Sequence, residues 1–257
     1  MEISAVIVTL NDEKRLGSAL NSLGGIASEI VIVDCGSTDG TLRIAAKHTS
    51  SIHERTGTDR TAQRNWAVSL ASHPWILTLL PDETISSDLR DELFELKAQS
   101  PECAAFSAPT RAFYLGRWVR HSGWAPGRRI RLFQKGLAHW EDDAVYERLE
   151  VDGPVRKLRG PVHRFPYATI SVHAARINRD SDLAAHKLYA LKKKARFARL
   201  LLAPPAVFLK TYFLRFGILD GFPGLVIAYL DGYASFLRSA KLREIWKKGE
   251  RIEPFPD

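Results

Sequence analysis

The first hundred residues alternate short, continuously apolar runs with longer stretches in which apolar residues recur at helical spacing. The apolar runs predict buried strands, because strands that are covered on both faces carry uninterrupted apolar residues. These predicted strands are 3–10, 29–36 and 75–80, and "SIHER" (51–55) is expected to form a further, short strand. The helical patterns that follow the four strands are 11–23, 37–48, 59–71 and 86–98. The alternation predicts βαβ units and an α/β fold: a Rossmann-like, mostly parallel sheet with helices on both faces.

Short polar residues stand where the first two predicted helices begin. Asn11 is the candidate N-cap of the first helix, and Ser37 or Asp39 is the candidate N-cap of the second. An N-cap side chain accepts a hydrogen bond from a backbone N–H group of the first helical turn, which has no partner within the helix. These residues would therefore fix the start of each helix.

The pattern changes after residue 100. From about 101 to 175, short β-type runs alternate with Gly and Pro turns, which predicts a meander attached to the sheet. From 177 onward the pattern is helical, with an expected break at Pro204 and Pro205, because proline lacks the N–H group that a helix interior needs. We therefore expect a first domain over residues 1–175 and a helical extension over residues 176–257.

Composition is that of a globular protein, with 45 % hydrophobic and 26 % charged residues. The chain has 2 cysteines, too few for a disulfide framework or a cysteine metal cluster, and this fits a reducing compartment. Its first residues, "MEISAVIVTLNDEKRL", are acidic at position 2, and their apolar run is too short for a signal peptide. A cytoplasmic location is the expectation.

The positive charge is concentrated in the helical extension. The segment between Lys187 and Arg251 holds 14 Lys or Arg and 4 Asp or Glu, although the whole chain carries a net charge of only +8. Its longest uncharged run, "GFPGLVIAYL", has 10 residues, and about 20 are needed to span a bilayer. We expect interfacial helices on an anionic membrane; the alternative is a helical pair packed on the domain with a basic solvated face. No nucleic-acid-reading motif accompanies the charge, so nucleic acid is not an expected partner.

Polar residues follow three of the predicted strands and should meet at one edge of the sheet, where open α/β sheets bind ligands. These residues are Thr9, Asn11, Glu13, Asp34, Ser37, Asp39, Asp82 and Glu83. A crevice lined by carboxylates repels an isolated phosphate, but a divalent cation can bridge carboxylate and diphosphate oxygens. The pattern therefore favours a sugar-nucleotide site with a metal. The alternatives are strand-end turns and acids that favour the N-terminus of the helix near Ser86.

Three stretches, "ISAVIVTLNDEKRLGSALNSL", "EIVIVDCGSTDGT" and "TAQRNWAVSLASHPWILTLLPDE", resemble successive signatures of family 2 glycosyltransferases, which are inverting enzymes of GT-A fold. "RLFQK", "VYERLEVDG" and the tail "FLKTYFLRFGILDGFPGLVIAYLDGYASFLRSAKL" resemble the subgroup of lipopolysaccharide inner-core β-1,4-glucosyltransferases. The resemblance covers nearly the whole chain. It implies transfer of a hexose from a UDP-linked nucleotide sugar to a lipid-linked saccharide of the cell envelope, at the inner face of the cytoplasmic membrane.

The resemblance also implies roles for individual residues. Asp34 would hold the nucleobase or ribose, and Asp82 would bind Mn²⁺ or Mg²⁺ on the donor diphosphate. Glu147 would be the general base, a role typically worth ~10²–10⁴-fold in rate. Arg131, or alternatively Arg129, could reach the diphosphate through its guanidinium group. The remaining implied nucleotide or donor contacts are Thr9, Asn11, Glu13, Ser37, Asp39, Gln63, Arg64, Asn65 and Glu83.

Two positions depart from the family pattern. Leu80 stands where the first Asp of the Asp-x-Asp motif is usual, and Tyr146 replaces a histidine before Glu147. Asp142 and Asp143 are the alternative candidates for the base. The departures keep open a pseudoenzyme that binds a nucleotide sugar or glycan without turnover. A sugar nucleotidyltransferase is a further alternative, but the chain has no Gly-rich, Arg/Lys-containing loop after its first strand.

Overall fold

The structure, a computed structural model, describes residues 1–57, 59–99, 101–124, 127–142, 147–194 and 197–250. For residues 142, 147, 249 and 250 it describes the backbone alone. The chain divides into two compact units: the first comprises Met1–Arg111 and Pro126–Phe165, and the second comprises Ala112–Ala125 and the residues from Pro166 onward. The functional domain boundary expected after residue 175 stays a prediction.

The first unit begins with alternating strands and helices, as predicted. The strands are β1 (Ile3–Thr9), β2 (Glu29–Asp34), β3 (Ile52–Glu54) and β4 (Trp75–Thr78). The helices are α1 (Leu16–Ser22), α2 (Thr41–Ala45), α3 (Arg60–Leu70) and α4 (Ser87–Lys97). These strands lie in the order β3-β2-β1-β4, and each neighbouring pair is parallel. Their carboxyl ends therefore share one edge of the sheet.

Helices cover both faces of this parallel sheet. On one face, Ile7 of β1 shares a core cluster with Leu20 of α1 and Leu93 of α4. On the other face, Val6 shares a second cluster with Ala67 of α3. Because successive side chains of a strand point to opposite faces, a strand covered on both sides needs apolar residues throughout, as β1 has.

The rest of the sheet is mainly antiparallel, in the region where the sequence predicts a meander. The strands are β5 (Glu83–Ile85), β6 (Ala105–Tyr114), β7 (Arg117–Val119), β8 (Arg128–Gln134), β9 (Ala138–Asp142), β10 (Glu147–Val151), β11 (Val155–Lys157) and β12 (Val162–Arg164). The sheet continues from β4 in the order β8-β6-β12-β5, while β9 and β10 form a separate antiparallel pair. This architecture confirms the predicted α/β fold class.

The predicted N-cap of the first helix is wrong, whereas one of the two candidates for the second helix does bond to its first turn. α1 begins at Leu16 and α2 at Thr41, and the residues directly before them, Arg15 and Gly40, make no side-chain capping hydrogen bond. The Asp39 carboxylate accepts from the N–H group of Thr41 at 3.0 Å, as an N-cap side chain does. Asn11 instead adopts a left-handed backbone with a φ of 55°, and its side-chain oxygen accepts from the N–H group of Thr38 at 2.9 Å. A partner in the next strand-end loop has replaced the local cap.

The second unit is helical from residue 170. Its elements are α5 (Ile170–Ala190), α6 (Phe197–Leu209), a π-helical turn (Lys210–Leu214), a 3₁₀ turn (Gly217–Asp220) and α7 (Phe222–Glu250). The break expected at Pro204 and Pro205 is wrong, because α6 continues through both prolines. α6 packs along α7, where a Cβ at Gly232 would lie only 3.0 Å from the carbonyl oxygen of Pro204. This close packing outweighs the local preference of proline.

One segment of the second unit, Phe197–Leu214, is long and apolar enough to cross a membrane by length and composition alone. It has 18 residues, of which 6 % are buried in the protein. The sequence expectation was of interfacial helices that do not span. The segment ends in the turns at 210–220, and the chain then enters α7.

Candidate functional site

The carboxyl ends of β1 and β2 bring together the polar residues predicted to meet there. The parallel register sets Thr9 opposite Asp34. The Asp34 carboxylate accepts hydrogen bonds from the N–H groups of Gly36 at 3.0 Å and Ser37 at 2.7 Å, and from the Ser37 hydroxyl at 2.6 Å. Asp34 is 1 % exposed, so it forms the floor of this edge and holds the loop that follows β2.

The loop after β1 is bonded to the loop after β2. The N–H group of Asn11 donates to the Ser37 hydroxyl at 2.8 Å, and the N–H group of Thr38 donates back to the Asn11 side chain. Asn11 and Thr38 are exposed, whereas Asp34 beneath them is buried. The edge therefore has a buried acidic floor and an exposed polar rim.

Glu13 and Asp39 extend the same rim. The N–H group of Glu13 donates to Asp39 at 3.3 Å, and the N–H group of Gly40 donates to Glu13 at 3.2 Å. Desolvation is the largest single cause and raises the pKa of Asp39, but hydrogen bonds from Thr41 and from the amide of Glu13 together outweigh it and lower the pKa. Asp39 therefore stays ionised at a lower pH than an ordinary aspartate does.

Asp12 is a site residue that the sequence reasoning missed. Its carboxylate accepts from the hydroxyl of Thr9 at 3.1 Å and from the N–H group of Leu10 at 3.2 Å, while its own N–H donates to the hydroxyl of Thr41 at 2.8 Å. Asp12 is 8 % exposed and thus links the end of β1 to the start of α2. The available signal was a third polar residue in "NDE", directly after the strand.

The polar residues of α3 bond mainly to the protein. The Gln63 amide donates to the carbonyl groups of Arg55 at 3.3 Å and Gly57 at 3.0 Å, and thereby holds the loop before α3. Asn65 exchanges two hydrogen bonds with the backbone of Trp140, at 2.9 and 2.8 Å. The Arg64 guanidinium lies 4.4 Å from the centroid of the Trp140 ring. α3 is therefore fixed to β9, and the ligand contacts expected of these residues stay predictions.

Glu83 and Arg131, both expected to contact the donor, bond to each other inside the first unit. The two nitrogens at the end of the guanidinium donate to the two carboxylate oxygens at 2.7 and 2.6 Å. Glu83 is 0 % exposed and Arg131 is 5 % exposed. Glu83 also accepts from the N–H group of Leu80 at 2.9 Å. In this structure the pair positions the strand-end loop, and Nε of Arg131 is left as a buried nitrogen without a hydrogen-bond partner.

Asp82, the expected metal ligand, is adjacent to this buried pair. Its side chain is 10 % exposed, and one carboxylate oxygen accepts from Nε of Arg164 at 3.1 Å. Its backbone carbonyl also accepts from the N–H group of Phe165 at 2.8 Å. The register of β12 on β5 sets Arg164 opposite Glu83 and so brings the guanidinium to Asp82. A cation that binds Asp82 through both carboxylate oxygens would therefore displace Arg164 from one of them.

Positive charge exceeds negative charge around Asp82. Three guanidinium groups, those of Arg129, Arg131 and Arg164, accompany the carboxylates of Asp82 and Glu83. Partial desolvation, and then the charges of Arg131 and Arg164, lower the pKa of Arg129, although its side chain reaches solvent. Bringing an anion to this cluster relieves the repulsion among the arginines, which fits a diphosphate.

The expected general base lies at the limit of what the structure describes. The backbone of Glu147 begins β10 and pairs with Asp142 of β9. The side chains of Glu147 and Asp142, and the whole of Asp143 and Tyr146, lie outside the described residues. Among the described residues, no group of three His, Cys, Asp or Glu side chains is placed to hold a metal ion unaided.

Comparison with known proteins identifies a matching family and relatives of this chain. Residues 4–148 match the family described as Glycosyl transferase family 2. The chain is 29 % identical to "Uncharacterized glycosyltransferase RT0209" of Rickettsia typhi, over 98 % of this chain and 90 % of that protein. It is also 29 % identical to "Lipopolysaccharide core biosynthesis glycosyltransferase LpsC" of Rhizobium meliloti, over 94 % of this chain and 92 % of that protein.

Among solved structures, the chain is similar to S. aureus TarS 1-349. The TM-score is 0.48 with 16 % sequence identity, over 98 % of this chain and 93 % of that one. A structure of the same S. aureus protein in complex with UDP gives a TM-score of 0.46 with 15 % identity, over 98 % of this chain and 93 % of that one.

The buried ion pair makes a first prediction about stability. Glu83→Gln should lower the free energy of unfolding by about 3–5 kcal/mol, because Arg131 then keeps a buried charge without a counter-charge. The double variant Glu83→Gln/Arg131→Met removes both charges and should recover a large part of that loss. Urea denaturation of the purified variants measures both effects.

Asp180, which pairs with Arg176 on the exposed side of α5, offers a matched control. Asp180→Asn should change the free energy of unfolding by about 1 kcal/mol or less, because exposed ion pairs contribute little. If Glu83→Gln costs no more than this control, the Glu83–Arg131 pair does not stabilise the strand-end loop.

Proposed function

Because the chain belongs to glycosyl transferase family 2, we propose that it is a metal-dependent, inverting hexosyltransferase. Its donor is a nucleotide sugar, UDP-linked in this proposal, and its acceptor is a lipid-linked saccharide such as lipopolysaccharide core or another cell-envelope glycan. The relative that is named for lipopolysaccharide core biosynthesis and matches 94 % of this chain supports the acceptor class. The family membership establishes a glycosyltransferase; the donor, the acceptor and the inverting course are the proposal.

The observation that carries the proposal is the pairing of two differently charged halves at one sheet edge. Asp34 and the rim around Asn11 offer carboxylate and amide acceptors, which suit the hydroxyl and imide N–H donors of a nucleoside. The cluster around Asp82 offers an excess of guanidinium charge, which suits a diphosphate. A nucleoside diphosphate sugar carries both kinds of group.

The residues at Asp82 fit a divalent cation that is shared with the donor. Asp82 would supply one hard oxygen ligand, and the diphosphate would have to supply others, because the described residues contain no complete metal cluster. When bound, a Mn²⁺ or Mg²⁺ ion would stabilise the negative charge of the departing nucleotide diphosphate. The guanidinium groups of Arg129 and Arg164 would supply positive charge to the diphosphate.

Glu147 is proposed as the general base. Its carboxylate would take the proton of the acceptor hydroxyl while that oxygen bonds to the anomeric carbon and the bond to the diphosphate oxygen breaks, which inverts the configuration. Asn65 of α3 holds β9 through Trp140, and β9 pairs with β10 at Glu147. The helix that carries Gln63, Arg64 and Asn65 therefore also positions the strand of the base.

The proposed location is the cytoplasm, peripheral on the inner face of the cytoplasmic membrane. The basic segment between Lys187 and Arg251 would meet anionic lipid, where each Lys or Arg near the surface contributes ~1 kcal/mol. A soluble transferase that acts on a lipid-linked acceptor needs such a contact to reach its substrate.

The test is a donor-hydrolysis and transfer assay with UDP-sugars and Mn²⁺. Glu147→Gln should lower turnover by ~10²–10⁴-fold, because the acceptor oxygen then has no base. Asp152→Asn, at an exposed turn after β10, is the matched control and should leave turnover unchanged. Product that persists at the normal rate in Glu147→Gln would assign the base to another residue.

One observation favours a second candidate, a pseudoenzyme that binds a nucleotide sugar without turnover. Leu80 stands in place of a carboxylate, and its N–H group is bonded to the buried Glu83. This candidate predicts nucleotide-sugar binding but no product with any donor tested. Product that depends on Glu147 excludes it.

Arg164 generates a prediction about the metal. Arg164→Gln should tighten the binding of Mn²⁺ alone by up to about fivefold, because a partly exposed ion pair contributes ~0.2–1 kcal/mol and the cation no longer competes with the guanidinium for the carboxylate. Isothermal titration with Mn²⁺ in the absence of nucleotide measures the change.

Arg176 makes a comparable exposed ion pair on α5, so Arg176→Gln is the control and should leave Mn²⁺ binding unaltered. Unchanged affinity in Arg164→Gln would show that the bound cation does not use the Asp82 oxygen that Arg164 holds.

A further inference from the structure

Helix α6 carries an exposed apolar row that no part of the described chain covers. Phe197, Leu201, Leu209 and Phe213 are each between 52 and 58 % exposed. With the exposed Pro205 they recur at every fourth residue, and residues spaced by four lie on one face of a helix. The row therefore forms a continuous apolar stripe along α6 and the π-helical turn that follows it.

Helix α7 carries a second exposed apolar stripe. Its members recur at intervals of three and four residues, which again places them on one helix face. They are Phe222, Leu225, Tyr229, Tyr233 and Phe236, and they are between 39 and 70 % exposed. Ile227, Ala228 and Leu230, which fall between these positions, are buried. α7 thus has an inner apolar face that packs in the second unit and an outer apolar face that does not.

The turn that joins the two helices is also apolar. Leu214 is 76 %, Phe216 59 %, Ile218 49 % and Leu219 66 % exposed. Surface turns are usually built from Gly, Pro, Asn, Asp and Ser, so four large apolar side chains at one turn need a reason. We name α6, this turn and α7 up to Phe236 the apolar hairpin.

The backbone of this turn is suited to an apolar surrounding. The N–H groups of Arg215, Phe216, Leu219 and Gly221 all donate to carbonyl groups within residues 210–218. A backbone group that enters an apolar medium without a partner is costly, so a turn that satisfies its own donors can leave water more easily.

Internal contacts of the second unit hold the apolar hairpin in shape. The hydroxyl of Thr211 donates to Asp231 at 3.1 Å, which ties the π-helical turn to α7. Asp220 accepts from the N–H groups of Arg120 at 2.9 Å and His121 at 3.0 Å, and from the Ser122 hydroxyl at 2.7 Å. The apolar side chains are therefore presented by a fixed frame.

We propose that the apolar hairpin inserts into one leaflet of a lipid bilayer and anchors the protein without crossing it. An inserted amphipathic helix buries its apolar face ~5–10 Å into the headgroup and acyl boundary. Exposed cations on the same segment, Arg199, Lys210 and Arg215, are long enough to reach anionic headgroups while their stems lie in the apolar layer. This combination favours lipid over a protein partner, whose interface core is depleted in charge.

The anchor specifies how the protein would contact the membrane named in the proposed function, and its purpose rests on that function. It changes the mode of contact, because a basic surface alone binds only anionic membranes and is released by salt. An inserted apolar hairpin binds neutral membranes as well and resists salt.

The experiment is flotation of the full-length protein with vesicles of neutral phosphatidylcholine, and of phosphatidylcholine with phosphatidylglycerol, at low and high salt. Binding to both vesicles, with a substantial fraction kept at high salt, is expected. Leu214→Ser/Leu219→Ser should weaken binding by about tenfold or more for each leucine, given the apolar area withdrawn from lipid. Leu183→Ser, at a leucine that is 63 % exposed on α5, should bind like the unaltered protein.

Two results would overturn the inference. One is binding that needs anionic lipid and disappears at high salt, which is surface attraction only. The other is a dimer in solution that Leu214→Ser/Leu219→Ser dissociates while vesicle binding is unaffected, which would assign the apolar hairpin to a second copy of the chain. Hydrolysis of UDP-sugars in vesicle-free buffer tests the proposed function separately from the membrane anchor. If the unaltered protein hydrolyses no UDP-sugar, the proposed function is contradicted. If it hydrolyses UDP-sugars but does not float with vesicles, only the anchor is contradicted.

Discussion

The parallel register of β1 on β2 sets Thr9 opposite Asp34, and the functional edge of the sheet depends on it. A slip of one residue would turn every side chain of the strand to the other face, so Asp34 could no longer hold the loop after β2. The loop after β1 would lose its partners at the same time, because Asn11 bonds to Ser37 and Thr38. β1 itself is buried on both faces, between the two core clusters.

A second constraint comes from the buried pair of Glu83 and Arg131. It ties the loop after β4 to β8, and it leaves Asp82 at the boundary between the protein interior and solvent. Burying two charges is expensive, and the short bidentate contact compensates for it only while both partners are present. The pair therefore helps to place Asp82 and Arg164 at the end of the sheet.

The sequence was sufficient where local rules decide the structure. Continuous apolar runs located β1, β2 and β4, and Asp59 and Ser86 cap α3 and α4 as short polar residues before helices usually do. It was insufficient where a distant partner decides. Asn11 bonds to Thr38 and does not cap α1. Helix α6 continues through Pro204, where α7 packs against it.

The candidate site shows the same division. Asp34, Ser37 and Asn11 lie together because they follow neighbouring parallel strands. The alternation of strands and helices in the sequence predicts such strands. The Glu83–Arg131 pair joins residues 48 positions apart, on β5 and β8, which are not neighbours in the sheet, and no local sequence pattern encodes such a contact. The two exposed stripes of the apolar hairpin are visible as spacing in the sequence, but only the structure shows which apolar positions remain uncovered.

The central claim is that this sheet edge binds a nucleoside diphosphate, and the most direct measurement is the melting temperature with UDP or UDP-sugars and Mn²⁺. A ligand of the folded state at 100 times its Kd stabilises by about 2.7 kcal/mol, which raises the melting temperature by a few degrees. The account predicts that rise for the unaltered protein and for Asp152→Asn, and its loss for Asp34→Asn. A melting temperature that no nucleoside diphosphate or nucleotide sugar changes, with or without Mn²⁺, would contradict it.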